Sequence, residues 1–125
     1  MVDVSRKECE MKSKNLKQGD LIWINFNPSR GHEQKGKRPA IIISAEDFNT
    51  RSTVVYVCPI SNTAKQYPYH VKLPKVAEIS GSVLCQHMKS MDLSERGFEY
   101  IGSVSEDFMN NLLSVILSPF MHDIR

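Results

Sequence analysis

The stretch from Gly19 to Ser44, GDLIWINFNPSRGHEQKGKRPAIIIS, constrains the fold more than any other part of the chain. It begins with LIWINF, an apolar and β-branched run that is typical of a strand, and it ends with AIIIS, a second such run. Between them lies NPSRGHEQKGKRP, a long polar segment with two glycines, two prolines and many charges. Hairpin connections are usually short, and long ordered ones often carry function. The pattern therefore predicts two strands that hold a functional loop.

The sequence predicts six short strands, two within this stretch and four downstream of it. We expect strands at 21–26, 40–43, 53–59, 67–73, 82–91 and 98–103, each an apolar or alternating run bounded by turn residues. Pro39 is expected to open the second strand because proline has no ladder donor. Pro68 suggests that the fourth strand lies at an edge. Ser44 is expected to cap a short helical turn that ends near Asn49.

A single clear helix is predicted near the C-terminus. Ser103 and Glu106 fit a capping box, and Pro119 is expected to end the helix. Its apolar stripe, which we interpret as core packing, comprises Val104, Phe108, Leu112, Val115 and Ile116. Several short strands closed by one helix predict a mainly β fold, a small and strongly bent antiparallel sheet or barrel.

Length and composition bound the remaining possibilities. A chain of 125 residues suits one domain, which we place at 17–125, after a charged and aperiodic extension at 1–16 that we expect to be flexible. The net charge of +2 permits a local basic patch, and no apolar run is long enough to cross a membrane. The three scattered cysteines form no CxxC pair, which favours reduced thiols in a cytoplasmic protein.

The usual signatures of enzyme chemistry are absent from the sequence. The four histidines show no HExxH or HxH spacing, so the sequence predicts no metal site. It also contains no GxSxG elbow, phosphate-binding P-loop or GxGxxG fingerprint, and we expect no cofactor.

Three polar segments remain as candidates for chemistry. In the long loop, Arg38 directly precedes Pro39 and a buried strand, where a fixed guanidinium is suited to grip a phosphate; pairing with Glu33 explains it equally well. The segment 59–63, PISNT, offers small hydrogen-bonding side chains but by composition is a turn. The segment 86–89, QHMK, places two polar side chains in a strand, which alone indicates a solvent-facing edge.

Taken together, these segments resemble the MazF/PemK family of toxins from type II toxin–antitoxin systems. The matching pieces are GDLIWINFNP, GHEQKGKRP followed by AIIIS, PISN, and VLCQHMKSMD, and they run from about Gly19 to the C-terminal helix. The resemblance implies an SH3-like (CcdB/MazF/PemK-like) β-barrel with a C-terminal helix. It also implies a homodimer and a cognate antitoxin of the MazE/PemI kind, through which alone we expect any contact with operator DNA.

The activity implied by the resemblance is that of a sequence-specific, metal-independent endoribonuclease. Such an enzyme cuts single-stranded RNA to leave a 2′,3′-cyclic phosphate and a 5′-hydroxyl. The family's catalytic arginine falls on Arg38 and its glutamate on Glu33, as base or as orienter of Arg38. Ser61 stands where the family typically has threonine. We place RNA contacts at Gln34, Lys37, Asn62, Gln86 and Lys89, whereas His32 is interpreted as loop surface.

Two other functions fit the same fold. One is a non-catalytic inhibitor of DNA gyrase, like the CcdB toxins, although the EQ-x-G-x-RP loop resembles the ribonuclease branch. The other is a plain nucleic-acid-binding barrel, in which Trp23, Phe26 or Tyr69 would stack a base.

Overall fold

The computed structural model describes residues 15–25, 37–62, 67–76 and 78–121. Within these ranges the strands are β1 (Asp20–Asn25), β2 (Lys37–Ile42), β3 (Val55–Ser61), β4 (His70–Lys72), β5 (Ser82–Leu84), β6 (Lys89–Met91) and β7 (Glu99–Ser103). The helices are α1 (Glu46–Arg51), α2 (Leu93–Arg96) and α3 (Glu106–Leu117), with 3₁₀ turns at Cys85–His87 and Ser118–Phe120. No helix in these ranges is both long and apolar enough to span a bilayer.

The described strands form a seven-stranded antiparallel sheet in the order β4-β5-β3-β2-β1-β7, and β6 also pairs with β3. β4 is therefore an edge strand, as Pro68 suggested, although the strand is shorter than predicted and begins only at His70. The mainly β architecture with one long C-terminal helix confirms the predicted fold class.

Alternation along the central strands gives the sheet an apolar surface on both faces. The first core, on the side of α3, is formed by Leu21, Ile41, Ile43, Cys58, Ile60, Leu73, Ile79, Val83, Cys85, Met109, Leu112 and Ile116. The second core, on the other face, is formed by Leu16, Ile22, Ile24, Ala40, Ile42, Val55, Val57, Met91 and Leu93. Successive side chains of β1 and β2 thus enter different cores, as the period of two requires.

The C-terminal helix follows the predicted stripe with a shifted start. Leu112 and Ile116 are buried in the first core, together with Met109, which the predicted stripe did not include. Burying a leucine side chain stabilises the fold by roughly 1.5–3 kcal/mol. The predicted cap at Ser103 was wrong: Ser103 ends β7, and Ser105 caps the helix by accepting a hydrogen bond from the Phe108 amide at 3.1 Å.

Ser44 does not cap α1, contrary to the prediction, because its hydroxyl is used elsewhere. The hydroxyl donates to Oδ1 of the buried Asn49 and accepts from the Tyr56 amide. Asn49 Nδ2 in turn donates to the Leu16 carbonyl at 2.9 Å. Leu16, which we assigned to the extension, is fully buried in the second core.

The predicted strand at 82–91 is in fact two strands. β5 and β6 are separated by the 3₁₀ turn Cys85–His87, and both pair with β3. The single strand predicted here is interrupted because the chain turns at Cys85, whose side chain is buried in the first core. The second strand also differs: it begins at Lys37, so Pro39 lies inside it rather than at its start.

Candidate active site

The pairing between β2 and β3 ends at Ala40 and Pro59. Ala40 pairs with Pro59, Ile41 with Cys58 and Ile42 with Val57, and the Ile43 amide donates to the Tyr56 carbonyl at 2.8 Å. In an antiparallel ladder the donors that face one neighbour occur at every second residue. After residues 43 and 41, the next donor towards β3 would belong to Pro39.

Pro39 cannot make that bond, because proline has no amide hydrogen. From this position the two strands pair with different neighbours: Lys37–Pro39 stay paired with β1, while Ile60 and Ser61 pair with β5. The two strand ends diverge and leave a gap between Lys37–Pro39 and Ile60–Asn62, which we call the wedge. A single imino acid in a strand thus explains where the sheet opens.

The wedge is the centre of a cleft of about 330 Å³. Its lining residues are Trp23, Lys37, Arg38, Pro39, Ile60, Ser61, Asn62, Glu78, Ile79 and Ser80. Four of the predicted site residues, Lys37, Arg38, Ser61 and Asn62, therefore meet in one place although they come from separate segments of the sequence.

Arg38 and Ser61 occupy matching positions on the two sides of the wedge. If the register of Ala40 with Pro59 continued, Arg38 would lie opposite Ser61. Arg38 pairs with Ile24 of β1, whose side chain lies in the second core, so Arg38 belongs to that face of the sheet. Val57 also lies in the second core. Because side chains alternate along a strand, Ser61, four residues after Val57, belongs to the same face. A guanidinium and a hydroxyl that share one face of a gap are suited to hold a phosphate between them.

Lys37 adds a second cation at the mouth of the wedge. Its Nζ lies 3.4 Å from Glu99 Oε1 on β7, and both side chains are more than half exposed. An exposed pair of this kind contributes little to folding stability because water and salt screen it. The weak pair with Glu99 therefore keeps the Lys37 ammonium near the cleft and leaves it available to an anionic ligand.

The backbone of Ser61 is positioned by a glycine that the sequence analysis passed over. Gly81 has a φ of +130°, and a Cβ added there would lie 2.6 Å from the Ser61 carbonyl oxygen and 3.0 Å from the Asn62 amide nitrogen. Real Cβ atoms do not approach backbone atoms so closely, so only glycine fits this contact. Glu78, Ile79, Ser80 and Gly81, which precede β5, therefore form part of the site.

Of the other predicted site residues, the two that the structure describes, Gln86 and Lys89, do not line this cleft. Gln86 lies in a second groove, whose lining is Tyr69, Cys85, Gln86, Met88, Ile116, Pro119 and Phe120. Lys89 is exposed on β6 and lines neither cavity. Of the proposed stacking residues, Trp23 lines the cleft and Tyr69 the second groove. Glu33, Gln34, His32 and Phe26 lie outside the described residues.

Neither of the two described cysteines, Cys58 and Cys85, lines the cleft. Burial, reinforced by the proximity of Cys85, raises the pKa of the Cys58 thiol to about 12. Burial likewise raises the pKa of Cys85 to about 11, partly offset by a backbone hydrogen bond. Both thiols are free and protonated at neutral pH, which confirms the expected buried reduced thiols at these two positions. Among the described residues no three His, Cys, Asp or Glu side chains cluster as metal ligands do.

An antiparallel sheet, one C-terminal helix and a cleft lined by Lys37 and Arg38 define a small, mainly β protein with a candidate site between two strands. A family model described as "PemK-like, MazF-like toxin of type II toxin-antitoxin system" matches residues 17–119. The chain belongs to this family, which confirms the resemblance found in the sequence.

Individual relatives agree with the family assignment. The endoribonuclease toxin MazF of Escherichia coli strain K12 is 35% identical over 89 residues, which cover 71% of this chain and 79% of the relative. The endoribonuclease PemK of Escherichia coli is 28% identical and covers 82% of this chain and 80% of the relative. A crystal structure of MazF from Deinococcus radiodurans superposes with a TM-score of 0.72 at 34% identity, covering 84% of this chain and 96% of that one.

Proposed function

We propose that the protein is an endoribonuclease toxin of a type II toxin–antitoxin system, which cuts single-stranded RNA at a site in the wedge. The observation that carries the proposal is the divergence of β2 and β3 at Pro39, which puts Arg38 and Ser61 on opposite sides of one gap. The curated relatives that bear the name endoribonuclease support the same activity. A gyrase inhibitor would not need a phosphate-holding pair of this kind, and the relatives named endoribonucleases favour cleavage over plain nucleic-acid binding.

The reaction that fits these groups is internal transfer of the phosphodiester. The 2′-hydroxyl loses its proton to a base and its oxygen bonds to phosphorus, while the bond to the 5′-oxygen breaks and that oxygen takes up a proton. The products are a 2′,3′-cyclic phosphate and a 5′-hydroxyl. Because the nucleophile belongs to the RNA, the protein needs to supply only orientation, proton transfer and positive charge.

Arg38 is proposed to stabilise the negative charge that grows on the phosphorane. Its guanidinium offers two parallel donors to the phosphate oxygens. Ser61 is proposed to hold a phosphate oxygen or the 2′-hydroxyl from the other side of the wedge. Lys37 and Asn62 extend the contact to neighbouring parts of the RNA. We assign the base, or the orientation of Arg38, to Glu33, and we retain Gln34, Gln86 and Lys89 as proposed RNA contacts.

The decisive experiment is a cleavage assay on a mixed-sequence RNA in excess EDTA, with chemical analysis of the product ends. Cuts at a limited set of sites that leave a cyclic phosphate and a 5′-hydroxyl are expected. A folded, antitoxin-free sample that cuts no RNA would refute the proposed activity, and cleavage that disappears with EDTA would refute the metal-independent mechanism.

We also propose that the toxin forms a homodimer and binds a cognate antitoxin, in keeping with its RNA substrate in the cytoplasm. Solved MazE-MazF complexes from Deinococcus radiodurans support a partner of this kind. Three apolar side chains near the C-terminus, Leu117, Phe120 and Met121, are 51%, 71% and 60% exposed, which favours an interface there. The molar mass measured by light scattering should be twice that of the chain, and a monomer at micromolar concentration would contradict the dimer.

A further inference from the structure

One segment that lines the cleft carries an acidic side chain that has no role in the proposed reaction. Glu78, Ile79 and Ser80 line the cleft from the connection between β4 and β5. Val76 and Ile79 form an antiparallel bridge, in which the Ile79 amide donates to the Val76 carbonyl at 2.8 Å. Ile79 is buried in the first core and Val76 packs against it. The turn that carries Glu78 is therefore anchored on both sides.

The backbone fixes Glu78 relative to the proposed catalytic groups. Glu78 has a φ of +67°, in the left-handed region that bulky residues rarely adopt. Three residues later the chain passes Gly81, which contacts the Ser61 backbone and accepts a hydrogen bond from the Leu73 amide at 2.8 Å. Unfavourable backbone conformations that the surroundings enforce occur often at functional sites. Glu78 is such a residue, and it lines the same cleft as Lys37 and Arg38.

The chemistry of a carboxylate limits what Glu78 can contact. An ionised carboxylate only accepts hydrogen bonds, and it repels the phosphates that Lys37 and Arg38 attract. Within the described ranges no hydrogen bond or ion pair engages the Glu78 side chain, which is exposed to the cleft. In an RNA chain, the Glu78 carboxylate therefore needs a hydrogen-bond donor that lies away from the negatively charged phosphates. The N–H groups on the edge of an unpaired base meet this requirement.

We infer that Glu78 is a specificity-determining residue, which accepts hydrogen bonds from the base of a nucleotide next to the cut. This inference rests on the proposed ribonuclease function. Guanine is the fullest match, because its N1–H and N2–H₂ groups are adjacent and can bond both oxygens of one carboxylate. Adenine and cytosine present an amino group beside an acceptor, and uracil presents one N–H between two acceptors, so each satisfies the carboxylate less completely.

The test compares cut-site profiles on the same mixed-sequence RNA for the wild-type protein, Glu78→Gln and the control Glu106→Gln. Glu106 is an exposed glutamate at the start of α3 and lies outside the cleft. The wild-type protein and the control should favour guanine at one fixed position beside the cut. Glu78→Gln should lower that preference roughly tenfold, the range for one well-formed base contact, while cleavage at other sites continues.

A second variant separates recognition from folding. Glu78→Gly removes the carboxylate but suits the positive φ, so its thermal midpoint should equal or exceed that of the wild-type protein. It should nevertheless lose the base preference. Unchanged preference in both Glu78 variants would overturn the inference while leaving the ribonuclease intact. A wild-type protein that cuts no RNA would overturn the proposed function, and this inference would fall with it.

Discussion

β2 and β3 each contain two regions with opposite properties. Over Ala40–Ile42 and Val57–Pro59 the strands are paired and fully buried, and their side chains fill both cores. Two or three residues further along, Arg38, Lys37 and Asn62 are exposed and line a cleft. The change occurs at Pro39, which lacks the donor that the next ladder bond needs. The comparison shows that one part of these two strands stabilises the fold, whereas the part beyond Pro39 forms a polar site.

Arg38→Ala should have the largest effect, because it removes the charge that stabilises the phosphorane and leaves the buried half intact. We expect RNA cleavage to fall by roughly 100-fold or more, with a thermal midpoint close to that of the wild-type protein. Arg51→Ala is the matched control, since Arg51 is an exposed arginine on α1 that pairs with Asp47 at 3.3 Å. Cleavage rates in single turnover measure the difference; equal losses in both variants would show that the position of the arginine is irrelevant.

Ser61→Ala should be the next most damaging change. A hydrogen bond to a charged group contributes about 1.5–3 kcal/mol, which corresponds to roughly 10- to 150-fold in rate. Ser61→Thr keeps the hydroxyl and should retain most of the activity. If Ser61→Ala cleaved RNA as fast as Ser61→Thr, the hydroxyl would have no part in the reaction.

Gly81→Ala should reduce cleavage about tenfold by moving Ser61 and Asn62, since the new Cβ would clash with their backbone. Gly97→Ala is an informative control: Gly97 has a φ of +75°, but an added Cβ there meets nothing within 4 Å. Both variants should lose roughly 1–3 kcal/mol of stability through the unfavourable φ, and Gly81→Ala should lose more, because its Cβ also meets the Ser61 backbone. Only Gly81→Ala should lose activity, and a matching loss in Gly97→Ala would mean that general destabilisation is the cause.

Pro39→Ala tests the origin of the divergence. The new amide can donate to β3, so the ladder should extend by one bond, the wedge should narrow, and cleavage should fall by a few-fold. The net change in stability should stay within about 1 kcal/mol, because the added hydrogen bond offsets the lost rigidity of proline. Hydrogen exchange should show protection of the amide at position 39. Exchange as fast as in an exposed loop would rule out proline as the cause.

Glu99→Gln should have the smallest effect. Releasing Lys37 from an exposed pair costs at most a few tenths of a kcal/mol in stability. RNA affinity should rise up to about threefold at low salt, and the gain should vanish as salt screens the phosphates. A titration at two salt concentrations measures this, and a gain that is independent of salt would contradict the electrostatic explanation.

The sequence predicted the elements of the fold better than their ends. Strands with strong apolar runs, such as β1 and β3, were placed within two residues, because burial on a face dictates their pattern. The bend at Cys85 was missed because filling the first core is a tertiary requirement that overrides local alternation. The cap was misplaced from Ser105 to Ser103 because Ser103 and Glu106 have the spacing of a capping box, whereas the third residue after Ser105 is Phe108.

The candidate site was predictable only in part. Arg38 stood out through its position directly before Pro39, and both Arg38 and Ser61 stood out through the family resemblance. Glu78 and Gly81 did not, because their importance comes from a turn that folds back onto Ser61. The signal available in the sequence was the glycine of KVAEISG, which is ambiguous without the contact it makes. Gln86 is the opposite case: it belongs to a segment that matches the family and was predicted to contact RNA, but it lies in a different groove.

The location of the scissile phosphate tests the central claim most directly. An RNA with a 2′-deoxy sugar at the cut site has no nucleophile and should bind without reacting. Titrated into isotope-labelled protein, it should shift the amide resonances of Arg38, Ser61 and Asn62 first and most strongly. Shifts confined to the second groove, around Tyr69 and Gln86, would contradict a site in the wedge.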